Sequence, residues 1–182
     1  MKKYLLIAGL FLAVGFNQFT FSQIAPFSKV INFLDSDGIQ SYASCQNSEG
    51  FTLMVGETYQ EYGMAILIDK EGNQIWDKGF SVAQSNRHPA FNDVIFTHDS
   101  CYFLLGNYNH PEGNQFCAFY TKINNNGDTL WSGSLNLGSL YKCSDTSDGG
   151  FVLIGYQNNV EGSAHSQIAV AKIDSSGPLE WS

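Results

Sequence analysis

Four histidines and a short acidic stretch are the residues of this sequence best suited to bind a metal ion. The histidines are His88, His98, His110 and His165. They show neither the i, i+4 pair of a helical zinc motif nor a shared place in any repeat. The acidic stretch, "DSDG" at 35–38, has two carboxylates at a spacing found in calcium loops but lacks the third acidic position and the distant Glu. Both patterns favour solvated loops and turns, and we expect no metal.

Nucleophilic and phosphate-binding motifs are missing from the sequence. The glycines of "DGGFVLIGYQ" at 148–157 are not followed by Lys-Ser/Thr, and no Gly-x-Ser-x-Gly stretch occurs. The cysteines are Cys45, Cys101, Cys117 and Cys143. Their irregular spacing within apolar runs argues against a metal cluster and favours buried thiols over disulfides, whose pairing stays open. We expect no catalytic residue and no cofactor.

The sequence contains an internal repeat, seen first in three apolar stretches. They read "EGFTLMVGETY", "SCYFLLGNYNH" and "GGFVLIGYQNN", and they reach Gly56, Gly106 and Gly155, which are 50 and 49 residues apart. The first copy has one more residue between Phe51 and its glycine, which leaves its register open. We expect each run to be a strand and its glycine to lead out towards a loop.

A second repeated element follows each of these stretches. An Asp or Asn stands three residues before a glycine, and a tryptophan stands four residues after that glycine. The three copies are Asp69, Gly72 and Trp76; Asn124, Gly127 and Trp131; and Asp174, Gly177 and Trp181. Asp or Asn at the first position and Gly at the fourth are typical of a type I turn. Each element therefore predicts a hairpin whose second strand carries the Trp between packed layers.

The apolar runs predict four strands in each repeat, near 91–97, 102–108, 116–123 and 129–136 in the second one. Four strands in roughly 50 residues is the size of a β-propeller blade. We therefore predict an all-β fold, a partial β-propeller of about three four-stranded antiparallel blades. The predicted units are an N-terminal strand and linker at 23–40 and blades at 41–82, 83–138 and 139–182, the last truncated at its final strand.

Three blades are too few to close a ring, because propellers have about four to eight blades. We therefore predict that the chain is a fragment of a longer protein. The stretch "FSKVINF" at 27–33 resembles the strand that follows each Trp, and in a complete ring it would close the last blade.

The N-terminus predicts export. Two lysines precede an apolar run at 4–16, and small residues follow before Gln23, as in a secretory signal peptide at 1–22. The run is shorter than the roughly 20 residues that span a bilayer, so no membrane insertion is expected after cleavage. The formal charge of −8 makes nucleic acid and anionic membrane surfaces poor partners. We expect a secreted or cell-surface protein.

The third copy of the repeat carries the longest motif, "DGGFVLIG" at 148–155 followed by "KIDSSGPLEW" at 172–181. In these residues the chain resembles bacterial exported proteins built from D-G-G-F-x-L-x-G and K-x-D-x-x-G-x-x-x-W repeats. The second copy has "DSCY" in place of the double glycine, and the first has Leu67 in place of the Lys. The resemblance implies a secreted β-propeller, often a type IX secretion substrate, and brings no catalytic motif.

These observations predict a secreted or cell-surface binding or scaffold module whose partner is an extracellular protein or a glycan. Recognition is expected at three loops that tolerate insertion, 57–63, 107–116 and 156–167. Tyrosines beside them form a candidate sugar-stacking surface; they are Tyr59, Tyr62, Tyr108 and Tyr156. The alternatives are an extracellular carbohydrate-binding module and a quinone-dependent dehydrogenase-like propeller enzyme, although the Ala, Asp and Thr pattern of that enzyme repeat is missing.

Overall fold

The protein is built from β-strands wherever its structure is described. The computed structural model describes residues 29–31, 33, 38–59, 62–82, 89–110, 116–157 and 165–182. Its strands are β1 (Ile39–Gln46), β2 (Thr52–Thr58), β3 (Gly63–Ile68), β4 (Gln74–Phe80), β5 (Ala90–Phe96), β6 (Tyr102–Asn109), β7 (Phe116–Ile123), β8 (Thr129–Leu135), β9 (Ser139–Asp145), β10 (Phe151–Gln157), β11 (Gln167–Ile173) and β12 (Leu179–Trp181). None of the described residues forms a helix long and apolar enough to cross a membrane.

Consecutive strands form three antiparallel sheets of four strands each, β1-β2-β3-β4, β5-β6-β7-β8 and β9-β10-β11-β12. The predicted all-β fold of three four-stranded antiparallel blades in a partial propeller arrangement is therefore confirmed. We call these sheets the first, second and third blades. β5 packs against β1 and β2, and β9 packs against β5 and β6, so the first strands of the blades are neighbours.

The strands of the second blade lie within one residue of the positions expected from the sequence. The predicted signal peptide at 1–22, the acidic residues at 35–37, His88 and most of the predicted linker at 23–40 lie outside the described residues. Of the strand expected at 27–33, residues 29–31 and 33 are described, and they belong to none of the three sheets.

One kind of turn joins the third and fourth strands of every blade. These turns begin at Asp69, Asn124 and Asp174, and the N–H of the glycine three residues later donates to the first residue's carbonyl oxygen at 2.9–3.2 Å. The side-chain oxygen of the first residue also accepts N–H groups within the turn, as Asn124 does from Asp128 at 2.9 Å. The turn glycines have φ of 77°, 75° and 108°, a conformation that strongly favours glycine.

The other repeated glycines, Gly56, Gly106 and Gly155, lie inside strands, so the expectation that they lead out to loops is wrong. Opposite each of them the preceding strand has a β-bulge with one extra residue. The extra residues are Tyr42, Asn92 and Tyr141. A Cβ on Gly155 would lie only 1.9 Å from the Ser139 carbonyl oxygen, and the matching distances at Gly56 and Gly106 are 1.8 and 2.4 Å. The bulge therefore requires glycine in the facing strand.

Each face of the second blade is buried against a neighbouring blade. Tyr102 and Leu104 on β6 belong to the core shared with the first blade. Phe103 and Leu105, which alternate with them, belong to the core shared with the third blade. All four side chains are fully buried, and each such burial stabilises the fold by roughly 1.5–3 kcal/mol. The strand is consequently apolar at consecutive positions from Tyr102 to Leu105 rather than at alternate positions.

The first two tryptophans each cover the turn glycine of the next blade. Trp76 donates from Nε1 to the carbonyl oxygen of Asn125 at 2.9 Å, and a Cβ on Gly127 would lie 3.1 Å from the Trp76 ring. Trp131 covers Gly177 in the same way, with its ring 3.0 Å from where a Cβ would stand. Glycine in this turn thus serves both the backbone conformation and the packing between blades.

All four cysteines are free thiols in the structure. Cys117 is buried and the other three are partly buried, which matches the favoured interpretation of small apolar side chains rather than bridges. Burial raises the pKa of Cys45 to about 12. Burial and the nearby Asp93 carboxylate also raise the pKa of Cys143. Neither thiol is activated as a nucleophile.

Replacing a bulge-facing glycine should destabilise the protein strongly. We expect Gly155→Ala to lower the free energy of unfolding by about 1–3 kcal/mol, because the new methyl group overlaps the Ser139 carbonyl and must push two paired strands apart. Urea denaturation of the variant and the parent measures the difference.

The matched control for this substitution is Gly79→Ala. Gly79 is an exposed strand residue, and a Cβ there would meet nothing closer than Tyr62 at 3.5 Å, an ordinary contact. Its stability should stay within about 0.5 kcal/mol of the parent. Equal losses for the two alanine variants would contradict the close-approach explanation.

Candidate binding surface

The blades have two distinct ends. We call the end that carries the β2–β3, β6–β7 and β10–β11 connections the loop end, and the opposite end, which carries the tight turns, the turn end. The loops predicted at 57–63, 107–116 and 156–167 are shorter in the structure, because β2, β6 and β10 run on to Thr58, Asn109 and Gln157. Residues 60–61, 111–115 and 158–164 of these connections lie outside the described residues.

Three of the four candidate sugar-stacking tyrosines are exposed at the loop end. Tyr59 is 63% exposed, and Tyr62 and Tyr156 are also exposed. Tyr108 is only 4% exposed, so its assignment to an exposed stacking surface is wrong. Its ring lies in the core between the first and second blades, edge-on to Phe119 with ring centroids 6.2 Å apart. The side chains of β6 are buried on both faces, and Tyr108 continues that pattern.

Two further exposed tyrosines, Tyr42 and Tyr141, were missed by sequence reasoning, and both are bulge residues. On the first blade the Tyr42 hydroxyl donates to the Glu57 carboxylate at 2.5 Å, and the Gln40 amide donates to the Tyr59 hydroxyl at 3.2 Å. Partial burial and the bond to Glu57 raise the pKa of Tyr42 to about 12. Tyr42 is therefore a neutral phenol at physiological pH, and its hydroxyl is engaged by Glu57.

On the third blade Tyr141 stacks on Tyr156. Their ring centroids are 5.7 Å apart and the ring planes are inclined by 23°. A hydrogen bond between the hydroxyls and the nearby charge of Tyr141 raise the pKa of Tyr156. Two stacked rings held at one edge of a sheet form a flat apolar platform with hydroxyl groups at its rim.

The second blade fixes the bulge that carries Tyr141. The side chain of Asn107, which is buried, donates to the Leu140 carbonyl and accepts the Leu140 N–H, both at 2.9 Å. On the other side of Tyr141, the buried Asp93 carboxylate accepts the Cys143 N–H at 2.9 Å. The position of this tyrosine is thus set by hydrogen bonds from a neighbouring blade rather than by its own strand alone.

A cleft of about 500 Å³ opens between the first and second blades, beside the outer strands. Phe80 and Val82 line it from the first blade, and Phe119, Tyr120 and Ser132 line it from the second. Aromatic walls with hydroxyl groups at the rim suit a small ligand or an inserted side chain that is partly apolar. The cleft adds a second concave surface to the exposed tyrosines.

The turn end holds a charged cluster of a different kind. Lys122, which is buried, donates to the Asp99 carboxylate at 2.7 Å, and its ammonium lies 5.7 Å from the Phe151 ring and 6.0 Å from that of Trp131. The His98 side chain contacts the Asp145 carboxylate beside this cluster. Within the described ranges, no three His, Cys, Asp or Glu side chains come together as a metal site.

The Lys of the repeat motif pairs with the acid of the preceding turn. Lys172 contacts Asp148 and Glu180, both at 2.6 Å, as Lys122 contacts Asp99 in the second blade. The hydrogen bond from Lys172, together with bonds from Thr146 and the Gly150 N–H, holds the pKa of Asp148 well below its usual range. The motif's charged residues are therefore engaged in contacts within their own blades.

Acid should unfold the protein through these turn carboxylates. The folded-state pKa is lowered at Asp148, Asp128 and Asp174. Their contribution to the free energy of unfolding is therefore complete above the unfolded-state pKa near 3.9, and it is lost as the pH falls towards the lower folded-state pKa values. We expect the urea midpoint to fall steadily below about pH 4.

Two variants isolate the part of the acid sensitivity that comes from the Asp148–Lys172 ion pair. Asp148→Asn and Lys172→Met should each flatten the acid limb of the stability curve, and the double variant should add little to either single change. Acid limbs parallel to that of the parent would show that the pair does not contribute to the acid sensitivity.

Comparison with known proteins identifies no family for this chain. No protein-family model matches it. No curated protein matches it either. Among solved structures it is similar to a protein of unknown function from Bacteroides caccae, known from a crystal structure at 1.35 Å resolution, with a TM-score of 0.34 and 12% sequence identity over 80% of this chain and 67% of that one.

Proposed function

We propose that this chain is an exported β-propeller-type binding or scaffold module that recognises an extracellular protein or glycan at its loop end. The observation that carries the proposal is the group of exposed tyrosines at that end. They are Tyr42, Tyr59 and Tyr62 on the first blade and Tyr141 and Tyr156 on the third. Exposed aromatic side chains that share one end of a rigid scaffold are a common basis of recognition.

The scaffold supports recognition because it fixes Tyr42 and Tyr141 in exposed positions. Tyr42 and Tyr141 are held by bulges, and the bulges are held by the close approach of Gly56 and Gly155. A ligand then meets rings whose positions are set before binding, which reduces the conformational entropy lost on association. The turn end, by contrast, is occupied by contacts between blades.

A glycan is the ligand class that the loop end favours. The Tyr141–Tyr156 platform offers ring faces of the size of a sugar, and the Tyr42–Glu57 pair offers both a hydroxyl and a carboxylate for sugar hydroxyls. The acidic balance of the chain, with a formal charge of −8, disfavours phosphate-rich partners. A protein partner that inserts an aromatic or apolar side chain is the alternative within the same proposal.

Binding should depend on tyrosines from both outer blades. We expect a glycan array or a panel of extracellular proteins to yield a ligand whose Kd rises about tenfold or more for Tyr59→Ala and for Tyr156→Ala, as when a hot-spot tyrosine is lost. Leu130→Ala is the control, because Leu130 is exposed on β8 near the turn end. A ligand that binds all three variants equally would place recognition elsewhere.

The predicted export can be tested by determining the N-terminal residue of the protein in each cell fraction. When the whole sequence is expressed in a bacterium with a general secretory pathway, we expect the protein outside the cytoplasm to begin at Gln23. A variant in which two residues of the apolar run at 4–16 are replaced by Arg should stay in the cytoplasm with its N-terminus intact. N-terminal sequencing of the fractions decides the point, and an uncut parent chain in the cytoplasm would overturn the assignment.

A further inference from the structure

A polar pocket of about 310 Å³ opens at the turn end, among the contacts between the second and third blades. Lys122 and Asp99 line it from the second blade, and Asp145 and Phe151 line it from the third. Its volume is at the lower end of the range for small-molecule sites. Because the pocket lies between two consecutive blades, both of its walls are formed by described residues.

The same repeat positions are apolar where the first blade meets the second. The counterpart of Lys122 is Leu67, since each stands opposite the tryptophan of the next strand. The counterpart of Asp145 is Phe96, since each lies at the end of the first strand of its blade. Leu67 is buried in the core, and Phe96 packs on Tyr102 with ring centroids 5.2 Å apart. The architecture therefore does not require charged side chains at these two positions.

The ammonium group of Lys122 has hydrogen-bonding capacity that the described residues do not use. The side chain is only 8% exposed, and an ammonium carries three N–H donors. One N–H bonds to Asp99 at 2.7 Å, while the nearby rings of Phe151 and Trp131 contact the cation without supplying an oxygen or nitrogen acceptor. Buried polar groups normally have hydrogen-bond partners. A ligand oxygen in the pocket would accept one of the remaining N–H groups.

Two carboxylates stand beside this donor. Asp99 accepts the Thr97 hydroxyl at 2.6 Å as well as the Lys122 ammonium, and its side chain is still more than half exposed. Asp145, on the facing blade, is partly exposed and contacts the exposed His98 side chain. A carboxylate has about four lone-pair sites, so both groups can accept further hydrogen bonds. The pocket thus combines a donor with acceptors from two blades.

The charges of the pocket select the class of ligand. An anion would be repelled by Asp99 and Asp145. A cation would be repelled by Lys122 and would leave its N–H donors without an acceptor. A neutral hydroxyl group fits both kinds of neighbour, because its oxygen accepts from the ammonium while its proton is donated to a carboxylate. The adjacent hydroxyl groups of a sugar ring present such atoms side by side.

We propose that this pocket binds one neutral sugar residue. One of its hydroxyl groups accepts a hydrogen bond from Lys122, and that group or its neighbour donates to Asp99 or Asp145. The volume of the pocket suits a single ring. The ring belongs either to a free saccharide or to the end of a glycan chain, since both present the same hydroxyl groups. The site lies at the opposite end of the blades from the exposed tyrosines, so it does not depend on recognition at the loop end.

NMR titration of the protein labelled with ¹³C at the lysine ε carbons tests the site. The Lys122 signal is identified by its absence from the spectrum of Lys122→Arg. The probes are the methyl glycosides of glucose, galactose, mannose, xylose and N-acetylglucosamine, with sodium acetate as an anionic comparison. We expect at least one glycoside to shift the Lys122 signal saturably with a Kd in the millimolar range, and acetate to leave it unchanged. A saturable shift with acetate instead of a glycoside, or no saturable shift at all, would overturn the proposal.

A variant that fills the pocket provides a second test. Asp145→Phe introduces the residue type found at the same repeat position of the second blade, where Phe96 stands, and should abolish the shift caused by the glycoside. Gln46→Phe is the matched control, because Gln46 has that repeat position in the first blade and lies outside the pocket. Its Kd should equal that of the parent. Circular dichroism confirms that both variants are folded, and an unchanged Kd for Asp145→Phe would contradict the site.

Titration with an oligosaccharide that ends in the bound sugar distinguishes the two sources of the ring. Binding of both the oligosaccharide and the methyl glycoside assigns the pocket to the end of a glycan chain, whereas binding of the glycoside alone assigns it to a free saccharide. Tyr59→Ala, at the loop end, should leave the Lys122 titration unchanged. The site at the turn end and the recognition proposed for the loop end are thus tested separately.

Discussion

The fold depends on one constraint, that the second blade is apolar on both faces and needs another sheet to cover each of them. In the second blade the condition is met, since Tyr102 and Leu104 pack towards one neighbour and Phe103 and Leu105 towards the other. The second blade therefore cannot fold alone with its apolar surface buried. Repetition of the unit meets this requirement, because the side of one blade that packs on the next blade already matches it.

The bulges that face the repeated glycines determine which side chains are exposed at the loop end. A bulge turns the side chain of its extra residue away from the regular alternation of the strand. In the first and third blades that residue is a tyrosine, which becomes exposed at the loop end, and in the second it is Asn92. The glycine that permits the bulge is thus a structural residue whose consequence is a displayed aromatic ring, and the buried hydrogen bonds from Asn107 fix one such ring.

The features that sequence reasoning identified are those set by local chemistry. Asp69 and Gly72 predict their turn because the hydrogen bonds and the φ angle involve only neighbours along the chain. The bulges escaped prediction because they depend on two strands; Gly155 meets the carbonyl of Ser139, which is distant in the sequence. The burial of Tyr108 depends on a neighbouring blade that covers its side of β6. The residue pattern within one strand does not reveal whether both faces of its sheet are covered, so the sequence places Tyr108 at the surface.

The two ends of the blades differ in what their residues are free to do. At the turn end, Trp76 and Trp131 each need the glycine of the next turn, so a change there disturbs packing between sheets. Each motif Lys needs the acid of its own blade. In the first blade Leu67 occupies the position of the motif Lys and packs in the core shared with the second blade. An apolar contact thus takes the place of the ion pair there. At the loop end the strands project beyond these contacts, and the exposed tyrosines there are not required by the turns or by the packing of Trp76 and Trp131. Residues of the proposed recognition surface at the loop end can therefore change while the architecture, which is fixed by the turn end and by the packing between blades, stays the same.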